Sequence, residues 1–309
     1  MDDRQNFDLP EDRPITASSN PRLHIMAGGV ICLLLIAAVQ PHGVKAAWDE
    51  FSKIIGLTSD PLPASPARLS DHETEELARM TPQLQAERLL ERSINHYGGA
   101  IELISAHVGE WYGQLSLSPK FNSLLDTALN ANDLRVRAAA IEIELATYNV
   151  PKTPVGSDLL VERISEQENR YWALWMMGAL GNRGVDPDRA FSTLMDHVKD
   201  SDEMTRFWAV EGMAMLGSDN TIRPLLDIFR SDPSLKIRER AACSLAQSGM
   251  LTKNQRMTAV PEIIGFLDDA SVDSPTRGWA VQALNDITAA GLGSDAAAWR
   301  SWWAQHQPH

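Results

Sequence analysis

RFWAVEGMAMLG, running from Arg206 to Gly217, decides the fold because its outline returns four more times along the chain. An Arg is followed three places on by Ala at Arg137/Ala140 in RAAAIEIEL, Arg170/Ala173 in RYWALWMMGALG, Arg206/Ala209 in the opening stretch, Arg238/Ala241 in RERAACSLAQSG and Arg277/Ala280 in RGWAVQALNDIT. The steps from Arg to Arg are 33, 36, 32 and 39 residues, each the length of one helical hairpin. A unit that short cannot bury its own apolar face and has to stack on copies of itself.

Each unit carries start and stop signals. Asp133, Asp202 and Asp273 stand four residues before their Arg, where a carboxylate caps a helix start and faces the Arg one turn later. Gly181, Gly217 and Gly249 stand eleven residues after it, where a left-handed helix end favours glycine. Between these helices lie partners with matching apolar spacing: Ala190, Phe191, Leu194 and Val198; Ile222, Leu225, Leu226 and Phe229; Val260, Ile263, Ile264 and Leu267. Pro224 and Pro261 are read as early-turn residues of two of them. Thr81-Pro82 opens an upstream helix through Leu84, Leu89, Leu90 and Ile94, and after Gly98-Gly99 another runs through Ile101, Ile104, Val108 and Trp111. Asp295 caps a last helix whose Trp299, Trp302 and Trp303 form a sealing stripe.

This pattern resembles the HEAT repeat, and more closely its short bacterial variant, the HEAT-like repeats named after the phycocyanobilin lyases. The resemblance covers about 117–288. It rests on the Asp, on pairs such as Val136-Arg137 and Ile237-Arg238, on the Ala, and on the closing Leu180-Gly181 and Leu216-Gly217. The first unit departs from it, because Glu144 stands where an apolar residue is expected. It implies an all-α fold, a right-handed α-solenoid of HEAT-like hairpins, and a protein that binds another macromolecule rather than one that catalyses a reaction.

The expected organisation is a polar acidic tail (1–24), a membrane anchor or signal segment (25–44), a juxtamembrane segment with a Pro-rich linker (45–71), and the repeat domain with its capping helix (72–309). The uncharged run IMAGGVICLLLIAAV at 25–39 carries the second of these. A cleaved signal fits its apolar core and the small residues Val44 and Ala46, whereas a transmembrane anchor fits the long acidic tail before it, and the anchor is favoured. Arg22 and the short tail favour an N-inside topology, which puts the repeat domain on the extracytoplasmic, periplasmic side of a single-pass protein. Pro61, Pro63 and Pro66 make a semi-stiff tether.

A net charge of −13 repels phosphate backbones, which disfavours nucleic acid and the DNA-gripping HEAT-like glycosylases alike. Cys32 and Cys243 form no disulfide framework. The eight histidines make no metal-ligand spacing, and no phosphate loop or nucleophile motif is present, so no cofactor, metal or catalytic residue is expected. The partner is read as a protein, with the membrane contacted through the N-terminal helix. Trp172, Trp208 and Trp279 each stand two places after the repeat Arg, roughly 80° off the core face at 100° per residue. They pack between successive helices or form an aromatic strip on the concave surface, flanked on the exposed side by Tyr171, Phe207 and Glu211. The alternative, resting on the likeness to the lyases, is an enzyme or accessory factor with a small molecule on that face.

Overall fold

The computed structural model describes residues 67–307, and the segment predicted to meet the membrane, 25–44, lies outside them. Contacts divide the chain at Pro66, and the unit from Ala67 to His309 is the one described here. Its secondary structure is fourteen α-helices with no strand among the described residues: α1 (Asp71–Ala78), α2 (Pro82–Ile94), α3 (Ala100–His107), α4 (Pro119–Leu129), α5 (Leu134–Thr147), α6 (Pro154–Ser165), α7 (Arg170–Asn182), α8 (Pro187–His197), α9 (Glu203–Leu216), α10 (Asp219–Ser231), α11 (Leu235–Ala246), α12 (Lys253–Phe266), α13 (Ser274–Thr288) and α14 (Ala296–His306). None of these helices is long and apolar enough to cross a membrane.

The helices pair as the repeat spacing requires: α6 with α7, α8 with α9, α10 with α11 and α12 with α13. Successive hairpins stack so that α7, α9, α11 and α13 form one row and α8, α10, α12 and α14 another, an arrangement consistent with a solenoid. The five repeat alanines, Ala140, Ala173, Ala209, Ala241 and Ala280, are fully buried, because a methyl is what the space between packed helices admits. Asp133, Asp202 and Asp273 cap as expected, accepting from the amides of Arg135, Thr205 and Thr276. Asp295 caps α14, Trp299 is fully buried, and its indole donates to the Gly293 carbonyl at 2.8 Å.

Four expectations are corrected. The repeat Arg does not pair with the Asp four residues before it. Instead Arg137, Arg170 and Arg206 each donate to a carbonyl six residues back, at Ala131, Ile164 and Asp200, and Arg277 donates to Val272. The cation thus closes the end of the preceding helix, where the backbone dipole is negative. Arg206 also reaches forward to Asp232, and Arg238 to Asp273 and Thr276 of the next unit. Gly217 and Gly249 take left-handed angles (φ 58° and 73°), but Gly181 stays helical and the left-handed position passes to Gly184 (φ 86°). What Gly181 requires is closeness, since a Cβ there would stand 2.7 Å from that of Ala190. Pro224 and Pro261 lie inside α10 and α12, beyond the first turn. The helix expected to run to Trp111 ends at His107 and tightens into a 3-10 turn, Val108–Glu110, which leaves Trp111 fully buried with its indole on Gln85 (2.8 Å).

The register also breaks once. The C-terminal turn of α5 meets the first turn of α7, where the Tyr148 and Trp172 rings lie 5.2 Å apart, and the middle of α5 meets the end of α7 through Glu142 and Arg183 (2.9 Å). Helix α5 therefore runs opposite to α7. In contrast, α7 and α9 run parallel, joined by Tyr171 and Asp202 at their starts and by Asn182 and Leu216 at their ends. Two apolar clusters result. One comprises α1–α4 with Val136, Ala140 and Ile143 of α5; the other comprises Ile141 and Leu145 of α5 with everything from Val150 to Trp299. Buried on both flanks, α5 has no solvent face between Ala139 and Ala146, and the side chains of Glu142 and Glu144 are enclosed with it.

Candidate interaction surface

The +2 position after the repeat Arg is occupied in turn by Trp172 on α7, Trp208 on α9, Arg240 on α11 and Trp279 on α13. The three tryptophans are half-buried and pack against the main cluster. They meet local neighbours and not one another: Trp172 leans on Tyr148, and Trp208 meets the edge of Phe207 at 5.8 Å. Such side chains anchor neighbouring helices, and the indole nitrogen of Trp172 is buried without a hydrogen-bond partner.

Tyr171 and Phe207, one place nearer the start, are half-buried and form inter-repeat contacts. The Tyr171 hydroxyl donates to Asp202 (3.1 Å), and the Phe207 ring carries the Lys236 ammonium 4.8 Å above it. Burial, with the Asp202 carboxylate beside it, raises the Tyr171 hydroxyl above its ordinary value. A Phe207–Lys236 contact of this kind ties α9 to α11, and the ammonium also lies 3.8 Å from the Met204 sulfur.

Glu211 overturns its expected exposure. It is 9% exposed and held by Arg240 of α11, whose Nη2 donates to Oε2 at 3.0 Å while Nε meets the other oxygen. Burial pushes the Glu211 carboxyl up, against the opposing pull of Arg240. The sequence misleads here because helical angle counts only a helix's own core, whereas the next helix in the stack covers the flank. Arg240 was missed for the same reason, although its place in the Trp series was legible from the alignment of units.

Three further groups have no motif that would single them out. Glu142 accepts from Lys152 (2.9 and 3.1 Å) and from Arg183 (2.9 Å), closing the junction between α5 and α7. Burial, then the Glu142 charge, pushes the nearby Tyr112 hydroxyl up to about 12. Arg256 lies buried and donates to the carbonyls of Ser244, Leu245, Ser248 and Leu251 at 2.9–3.0 Å, closing the end of α11. Burial, with the charge of Arg137 close by, lowers it to about 10.

The other row presents a different surface. Ion pairs cross from unit to unit, Asp158 with Arg189 (2.7 Å), Arg223 with Glu262 (2.8 Å), Arg230 with Asp269 and Asp268 with Arg300 (2.5 Å each). Exposed pairs contribute on the order of 1 kcal/mol or less apiece. An open groove of about 550 Å³ between α10 and α12 is floored by Ile222 and Leu226, with the Arg223–Glu262 pair among its walls. Chemistry converges less there than on the Trp-bearing row.

A comparison with curated proteins gave no match. Residues 157–246, the part of the chain from α6 to the end of α11, match the family model for HEAT repeats, which with the parallel stack that these residues build supports a HEAT-like repeat family.

Proposed function

We propose that the protein is a membrane-tethered scaffold that docks a protein partner on the Trp-bearing row of its stack. HEAT repeats generally mediate protein–protein interaction as scaffolds and are typically non-catalytic. The observation that carries the reading is the recurrence of half-buried aromatic side chains at one position of three helices of one row, Trp172 on α7, Trp208 on α9 and Trp279 on α13, with Arg240 at that position on α11 between them and Tyr171 and Phe207 at their sides. Large aromatic side chains already fixed by packing lose little freedom on binding, which suits them as interface anchors. The anchor in this reading is the apolar run at 25–44, the tether is the Pro-rich segment with Pro61, Pro63 and Pro66, and the repeat domain lies on the extracytoplasmic side.

The test is site-specific photo-crosslinking in the full chain, with the reactive group at Trp172, Trp208 or Trp279 and, as a control, at Thr258 on the other row. One partner is expected from the Trp positions and not from Thr258. Trp208→Ala should lower its capture at least ten-fold in a chain that still melts cooperatively, with the melting temperature reduced because the ring also packs against the cluster. Equal capture from both rows, or a large loss of stability with capture unchanged, overturns the reading.

A further inference from the structure

The series two places after the repeat Arg is interrupted on α11, and the interruption is charged. Where α7, α9 and α13 carry Trp, α11 carries Arg240. Its guanidinium is fixed from one side: Nε and Nη2, the side edge of the fork, meet the two oxygens of Glu211 on α9, which is buried. The other terminal nitrogen, Nη1, has the Cys243 sulfur 3.8 Å away, and sulfur is a weak acceptor. The Arg240 side chain is 25% exposed. A guanidinium oriented along one edge, with a weak acceptor at its end, is prepared to take a second carboxylate there.

The surroundings add charge of the same sign. Lys236, one turn earlier on α11, stands over the Phe207 ring at 4.8 Å. At the other end of α11, Arg256 donates to the Ser248 carbonyl (2.9 Å) and Arg137 to that of Gln247 (3.0 Å), the two residues whose side chains meet the Cys243 sulfur. Against these cations stand Glu211 of α9, Glu239 of α11 and a helix end worth about half a negative charge. Positive charge is thus concentrated along α11 in a chain whose net charge is −13. Packed helices lie roughly 8–10 Å apart, so Trp208 on α9 and Trp279 on α13 stand about that far to either side of the Arg240 position. Rings that flank a charged contact exclude water from it, the setting in which an Arg contributes most to an interface.

We propose that the interruption in the Trp series is a carboxylate subsite: the partner segment that docks on this row carries an Asp or Glu side chain that meets the end of the Arg240 fork, with apolar side chains on either side of it against Trp208 and Trp279. The proposal rests on the scaffold reading and adds to it the chemistry of the partner. Glu211 positions the guanidinium, and the partner's acid completes its coordination. Glu239, exposed on the same helix, repels a segment with several acids in a row, so the fitting segment is apolar with a single carboxylate at its centre.

The test pans the full chain, in detergent, against a phage-displayed library of random dodecapeptides and measures binding of the enriched peptides. An Asp or Glu between apolar residues is expected in them. Replacing that acid by its amide should weaken binding to the parent at least ten-fold, and binding to Arg240→Gln/Glu211→Gln, which removes the ion pair without leaving a buried charge alone, less than two-fold. Arg240→Lys, which keeps the charge and loses the fork, supplies the same comparison if the neutral pair does not fold. Glu211→Gln alone keeps the guanidinium and should keep the preference for the acid. Peptides that Trp208→Ala weakens ten-fold but that show no acidic preference overturn the subsite and leave the scaffold reading standing. The same holds for an acid whose replacement costs as much in the double variant as in the parent, which would make Arg240 a link between α9 and α11 and nothing more. If no peptide is enriched, or none responds to Trp208→Ala, docking on this row fails and the subsite fails with it.

Discussion

In the stack of α7, α9, α11 and α13 each helix meets the next in parallel and at matching heights; α5 carries the same Arg-x-x-Ala signature and meets α7 head to tail. The difference lies in what covers the flanks. Between α7 and α9 the contact is backbone against backbone, for a Cβ on Gly178 would stand 1.9 Å from the carbonyl oxygen of Gly212. Between α5 and α7 it is made by an ion pair and two rings. Close glycine crossings lock a register, since neither helix can slide without a clash. Long side chains reach over a range of geometries and permit a reversal. A shared signature therefore fixes how a helix caps and where its small residue points, and leaves open which way its neighbour runs.

The strongest way to break this comparison is to attack each cluster separately. Trp111→Ala, which empties the largest fully buried site of the α1–α5 cluster, should destabilise by about 4 kcal/mol. Amide exchange should then accelerate through α2–α4 while α9 and α11 stay protected. If both regions exchange together, the two clusters are one cooperative unit. Gly178→Ala makes the reverse test. Its methyl has nowhere to go against Gly212, and the strain should cost about 3 kcal/mol, with exchange rising first in α7 and α9. A Gly178→Ala protein as stable as the parent would mean that the crossing is looser than the 1.9 Å approach implies.

The smallest effect is in pH. The amide and hydroxyl of Thr276, and then Arg238, hold the Asp273 carboxyl down at about 2; Arg135 lowers Asp133, and the hydroxyl of Thr205 lowers Asp202. A carboxyl held below its unfolded value of 3.8 adds stability that is present above that value. That stability is lost as pH falls through the folded value, so the Asp273 cap should weaken between about pH 4 and 2, and the Asp133 and Asp202 caps as pH falls below their ordinary value. Buried Glu211, pushed the other way, favours its protonated form on folding and opposes that loss. Melting curves across that range should slope less for Asp273→Asn than for the parent, and an unchanged slope would remove Asp273 from the account.

Much of this could be read from the chain alone. Asp133, Asp202, Asp273 and Asp295 announce helix starts because a carboxylate satisfies amides that nothing else in the first turn can reach. Ala140 through Ala280 mark the buried row because only a small side chain fits a repeated close contact, and the 32 to 39-residue step sets hairpin length. These are local rules, written within a dozen residues. The tertiary structure alone decided the rest. Glu211 is enclosed by a helix 29 residues away, Arg137 closes on a carbonyl 110 residues away, and α5 turns against α7. No spacing within a unit encodes such contacts, because they depend on how far the stack curves, and curvature is the sum of small rotations set by packing at every interface.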